Sequence, residues 1–177
     1  TSLQAELDTI AKQKAVIAEE MDALQGLLIS KETQSKLNEQ ELAQLDSKIS
    51  QMGGLSEQLL GEAFEALEER NPRRAAAAVA ADRSIDQLQL ELEEQVITMI
   101  ARRQPVANDL RQIMAVLKIV ADLERIGDLA KNIGKRALAT SAENQPKTLL
   151  TGLRHMVDLA SQQLKDVLDA FASRDAE

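Results

Sequence analysis

A chain of 177 residues is long enough for one domain, or for one domain with an extension. With 28% charged and 1% aromatic residues, three Pro and seven Gly, it has the composition of long helices or coiled coil, which argues against β-architecture. The net charge of −8 argues against a general nucleic-acid binder, and the absence of cysteine excludes disulfides, thiolate metal sites and a cysteine nucleophile.

The first predicted element is a helix over residues 1–29. Leu3, Leu7, Ile10, Ile17, Met21, Leu24 and Leu28 follow alternating steps of three and four, with Lys14 at one of the same positions. That is a coiled-coil seam with one polar interruption. The stretch ISKETQSKLNEQ carries almost no apolar stripe, and Ser30 is a suitable cap, so a turn is predicted near Ser30, with one continuous helix as the alternative. A second periodic run holds Leu42, Leu45, Ile49, Met52, Leu55, Leu59 and Leu67. Gly53-Gly54 weakens it, marking either a close helix contact or a bend.

Asn71-Pro72 predicts a boundary, with Asn at the N-cap and Pro at the first helical position. The alanine-rich run Ala75 to Ala81 then leads into Ile85, Leu88, Leu92, Val96, Met99 and Ile100, an amphipathic helix ending at Arg102 and Arg103. Pro105 interrupts, and Asn108 or Asp109 caps the next helix. Ser141 to Pro146 reads as a loop, and a last helix from about Lys147 carries Leu149, Leu153, Met156, Leu159, Leu164, Val167, Leu168 and Phe171. The sequence holds no long uncharged apolar run of the kind that spans a membrane and no signal segment. It starts at Thr1 and stops within a helical pattern, which reads as a fragment or a processed chain.

The stretch from Asp109 to Ala137 is the most informative. Ile113, Leu117 and Val120 define a helical face whose next two positions are Glu124 and Asp128. Two carboxylates in line with a core stripe need neutralising by a metal, a basic group or solvent at a cleft. A second acidic pair, Asp82 and Asp86, lies on the preceding helix, where with Glu93 it flanks the apolar stripe. If the two helices pack antiparallel about Gln104-Pro105, each pair stands roughly 20 residues from the turn, and at about 1.5 Å per residue the pairs come level. Four oxygen donors at one level suit a hard cation or an iron or manganese cluster, with zinc and magnesium as further candidates. The plain alternative is a solvated groove whose acids pair with Arg83, Arg125 or Lys131.

The wording of these segments is specific. QMGGLSEQLL, AADRSIDQLQLELEE, RRQPVANDLRQIMAVLKI and DLERIGDLAKNI closely resemble the phosphate-uptake regulator family, PhoU, from near Glu41 to the end. The resemblance implies an all-α antiparallel bundle of long helices, built as three-helix repeats, in a cytoplasmic protein. Its E/DxxxD motifs imply metal binding at Asp82, Asp86, Glu124 and Asp128. It further implies a regulator that restrains phosphate-starvation signalling by contacting a sensor histidine kinase and the phosphate-transporter ATPase, peripheral to the membrane at most. On this reading residues 1–40 form a coiled-coil-like helical extension, 41–140 one repeat, and 141–177 the first helix of a second, incomplete repeat.

No catalytic residues are indicated. The one histidine, His155, reads as a surface or edge residue, so neither a Ser-His-acid grouping nor the Glu-x-x-His ligand set of di-metal enzymes is present. No glycine-rich phosphate loop occurs. Arg70, Arg73 and Arg74, then Arg102 and Arg103, then Lys131, Lys135 and Arg136 read as helix-end and solvent-face placement, or as a charged rim for partner proteins. The alternative to a regulatory adaptor is a structural module in which the 1–29 seam drives homo-oligomerisation.

Overall fold

The computed structural model describes the backbone of residues 2–103, 108–143 and 147–173. It contains four helices, α1 (Ser2–Glu68), α2 (Pro72–Arg103), α3 (Asn108–Ala139) and α4 (Lys147–Ser173), and no strand among the described residues. The all-α reading of the sequence therefore holds. The turn about Pro105 lies outside the described residues, as do the side chains of the capping candidates Asn108 and Asp109 and of Leu3, Leu7, Ile10 and Lys14.

The turn predicted near Ser30 is absent, and α1 runs through it without a break. Residues 27–52 contain no Gly or Pro, and Lys, Glu, Gln and Leu are good helix formers, so polarity without a breaker does not end a helix. Thr33 donates its Oγ1 hydrogen to the Ile29 carbonyl, keeping the local polar group inside the helix.

Two compact units divide the chain, Thr1–Gln44 and Leu45–Glu177. In the first, the described seam residues Ile17, Met21, Leu24 and Leu28 are all more than half exposed. In the second, Leu45, Ile49, Met52, Ser56, Leu59, Ala63 and Ala66 are buried at steps of three and four, the narrow stripe of coiled-coil packing.

Within Leu45–Glu177 the contacts fix the directions of the helices. Lys48 pairs with Glu91 at 3.1 Å, while Ala66 packs with Ala75, so this part of α1 runs antiparallel to α2. Ser56 reaches the Leu123 carbonyl and Ala66 meets Ala137, so α1 and α3 run parallel. Gly53 lies against Leu168, while Glu68 binds Arg154, which sets α4 antiparallel to α1. Arg154 also stacks 4.6 Å above the Phe64 ring, joining ion pair and cation–π contact at one end of α4. A Cβ on Gly53 would lie 2.5 Å from Leu168 Cδ2, so of the two readings of Gly53-Gly54 the close helix contact is the right one.

The α1–α2 turn is made by hydrogen bonds from Asn71 N to Ala66 O (3.0 Å) and Arg70 N to Leu67 O (3.3 Å), with Arg70 in the left-handed region at φ 51°. Asn71 Oδ1 then accepts from the backbone N–H of Arg73 and of Arg74, both at 3.2 Å. With Pro72 opening α2, this is the cap that the dipeptide predicts.

Candidate functional site

Helices α2 and α3 approach closely because both present small residues. Ala75 and Ala78 on α2 are fully buried, as is Ala130 on α3, and Gly127 and Gly134 are buried beside it. A Cβ on Gly127 would stand 2.9 Å from Ile85 Cδ1 and 3.4 Å from Asp82 Oδ1; one on Gly134 would stand 3.1 Å from Val79 Cγ2. The α3 seam is Ile113, Val116, Val120, Leu123, Gly127, Ala130, Gly134 and Ala137. Glu124 and Asp128 stand beside it, half-buried, one position off the seam that the sequence assigns them. Asp82, expected at an interface edge, is instead buried in line with Ala75, Ala78 and Ile85. Substitution of small residues for Leu shifted the true stripe away from the large-residue pattern.

The two acidic pairs come level, as the helix arithmetic requires. Asp82 Oδ2 accepts a hydrogen bond from Lys131 Nζ at 2.5 Å, and the same ammonium donates to Asp128 Oδ1 at 2.8 Å. Lys131 thereby links the carboxylate of α2 to that of α3. Asp82 is 3% exposed at its side chain, and its second oxygen, Oδ1, is buried without a hydrogen-bond partner. Burial, then the charges of Asp128, Asp86 and Asp82, push the Glu124 carboxyl above the usual carboxylate range. The hydrogen bond from Lys131 is the chief cause that holds Asp128 below that range, and Asp128 and Asp82 together raise the Lys131 ammonium. Glu93 is engaged elsewhere, accepting from Gln89 Nε2 at 3.0 Å.

These donors have the chemistry of a hard-cation site: four carboxylates, one oxygen of which is buried and without a donor. The place between Asp82 and Asp128 holds the Lys131 ammonium, and among the described residues no three acids, His or Cys are arranged around a common point as ion ligands. Sequence reading names Lys131 only beside Arg83 and Arg125. The signal that singles it out is spacing, since Lys131 lies three residues after Asp128 and seven after Glu124, on one helix face. Gly127 went unremarked, although a glycine inside a strong helix signals close approach.

A second feature is an apolar groove of about 420 Å³ between α1, α3 and α4, lined by Leu60, Phe64, Ile126, Ile133, Leu153 and Met156 among others. Met156 is 64% and Leu129 58% exposed, so the α4 stripe read from sequence is covered only in part. His155 is exposed, as the sequence suggests. Of the basic groups, Arg74 is bound by Glu65 and by Glu69 (2.8 Å), while Arg73 and Arg102 are exposed.

The PhoU domain model matches residues 49–137. A protein of Rhizobium meliloti (strain 1021), named phosphate-specific transport system accessory protein PhoU homolog, is 43% identical over 139 residues, covering 78% of this chain and 59% of the relative. The protein of that name in Escherichia coli (strain K12), without the word homolog, is 37% identical over 138 residues, covering 77% and 56%. Among solved structures, the crystal structure of PhoU from Pseudomonas aeruginosa matches with a TM-score of 0.74 and 35% identity, covering 78% of this chain and 66% of that one. The chain thus spans under two thirds of the length of these relatives.

Proposed function

The chain belongs to the PhoU family, and from that membership we propose that it is an accessory regulator of phosphate uptake and phosphate-starvation signalling that acts by binding other proteins. The partners are a sensor histidine kinase and the ATPase of a phosphate transporter, met at the cytoplasmic face of a membrane. The observation that carries this reading is the identity of 43% to a relative named as a phosphate-specific transport accessory protein. Two features support the mode of action. No described helix is long and apolar enough to cross a membrane, and the groove between α1, α3 and α4 leaves Leu129 and Met156 more than half exposed. Exposed apolar surface of this kind, rimmed by charge, is what a protein partner buries.

A hard cation, when bound, would be held by Asp82, Asp86, Glu124 and Asp128 and would tie α2 to α3. Its contribution is structural cross-linking, shaping the bundle that partners meet.

The test is direct binding of the purified chain to the purified kinase and to the transporter ATPase, with and without phosphate. Saturable binding to either, weakened at least about tenfold by Leu129→Asp with Met156→Asp, is expected. Binding to neither under any phosphate condition would remove the proposal.

The exposed stripe Ile17, Met21, Leu24 and Leu28 favours one further reading, assembly of copies through α1. Sedimentation of the chain with and without residues 1–40 separates the two, since assembly through the seam requires the shorter chain to lose mass states. The same mass states in both reject it.

A further inference from the structure

We propose that Lys131 gates the carboxylate cluster between α2 and α3: its ammonium is the resident cation of Asp82 and Asp128, and a divalent metal ion enters only by displacing it. This inference rests on the reading of Asp82, Asp86, Glu124 and Asp128 as a cation site and names what regulates that site.

Two observations carry it. Asp82 is buried with Oδ1 unpartnered, and that oxygen faces α3, 3.4 Å from where a Gly127 Cβ would lie. A buried carboxylate oxygen without a donor is an acceptor in want of positive charge. Lys131 Nζ meanwhile lies 2.5 Å from Asp82 Oδ2 and 2.8 Å from Asp128 Oδ1, bridging the helices at the point a divalent ion would bridge them. Four carboxylates share this one bridging ammonium, whose side chain is 24% exposed and so has a path to solvent along its flexible stem. A metal ion placed between the same oxygens meets like charge while the ammonium is there, and gains both carboxylates once it leaves.

Mn²⁺ titration of the full chain tests the gate, read as thermal melting and as bound metal by elemental analysis. Wild type is expected to melt at one temperature with or without millimolar Mn²⁺. Lys131→Ala is expected to melt lower without metal, to recover that loss in Mn²⁺ and to bind Mn²⁺ at least about tenfold more tightly than wild type. Lys131→Ala combined with Asp82→Asn is expected to lose the metal response. Equal Mn²⁺ binding by wild type and Lys131→Ala overturns the gate and leaves the cation site standing. No Mn²⁺ response in either overturns both. If Lys131→Ala is insoluble when made alone, refolding in Mn²⁺ must recover it, and failure to do so overturns the proposal.

Discussion

One helix carries the same spacing through two fates. From Ile17 to Leu28 and again from Leu45 to Ala66, α1 places its seam at steps of three and four, and the count between them stays in register through Lys31, Ser35 and Asn38. Ile17, Met21, Leu24 and Leu28 are 56–62% exposed, while Leu45, Ile49 and Met52 are 0% exposed. Periodicity therefore declares that a face is fit for burial, and says nothing about what buries it. The second stretch is covered because α2, α3 and α4 bring matching small and apolar residues to it. The first has no such cover among the described residues.

The largest effect that can break this comparison is a matched pair of truncations. Ile49→Ala is expected to cost about 2–5 kcal/mol in urea unfolding, and Leu24→Ala under about 0.5 kcal/mol. Equal costs would mean that the first seam also has a partner. Next, Gly53→Ala drives a methyl into Leu168 and is expected to destabilise by about 1–3 kcal/mol, whereas Gly54→Ala meets open space and stabilises by about 0.5–1 kcal/mol. Opposite signs at adjacent glycines show which one the helix contact uses. A loss of about 1 kcal/mol is expected for Asn71→Ala, which leaves the Arg73 and Arg74 amides of the covered unit without their cap.

Acid gives the smallest effect. Hydrogen bonds from Gln87 and then Lys48 hold Glu91 below the usual carboxylate range. A depressed carboxyl adds stability that is present above its unfolded pKa and is lost as pH falls through its folded one. Glu91→Gln should therefore flatten the acid limb of the melting-temperature profile slightly. An unchanged acid limb would mean that this contact adds nothing there.

Much of the fold is written in residues that act alone. Asn71 and Pro72 specify a cap by their own geometry, and long runs of Leu, Ile and Met specify helices by their spacing. The level of the two acidic pairs followed from counting residues on either side of a turn. What stayed hidden depends on two helices at once. Asp82 is buried because Gly127, more than 40 residues later, leaves room opposite it, and no periodicity within α2 contains that fact. Lys131 could be named but not chosen over Arg83 and Arg125, because the choice depends on which neighbour faces the burial. The false turn at Ser30 came from reading polarity as a stop, when solvent-exposed helix tolerates polarity and only Gly, Pro or a cap ends it.

Ser56 is fully buried and donates one hydrogen that lies within reach of two carbonyls, Met52 at 2.9 Å in its own helix and Leu123 at 3.3 Å in the next. A pair of parallel helices packed only by Leu and Ala can slide by a heptad at little cost, because each heptad resembles the last. The hydroxyl removes that freedom. Only one axial setting of α1 against α3 gives its oxygen a carbonyl to meet on the far side, and any slip leaves a polar group stranded among hydrocarbons. Ser56 is thus a detent in an otherwise smooth track, fixing how far along the bundle every other contact falls.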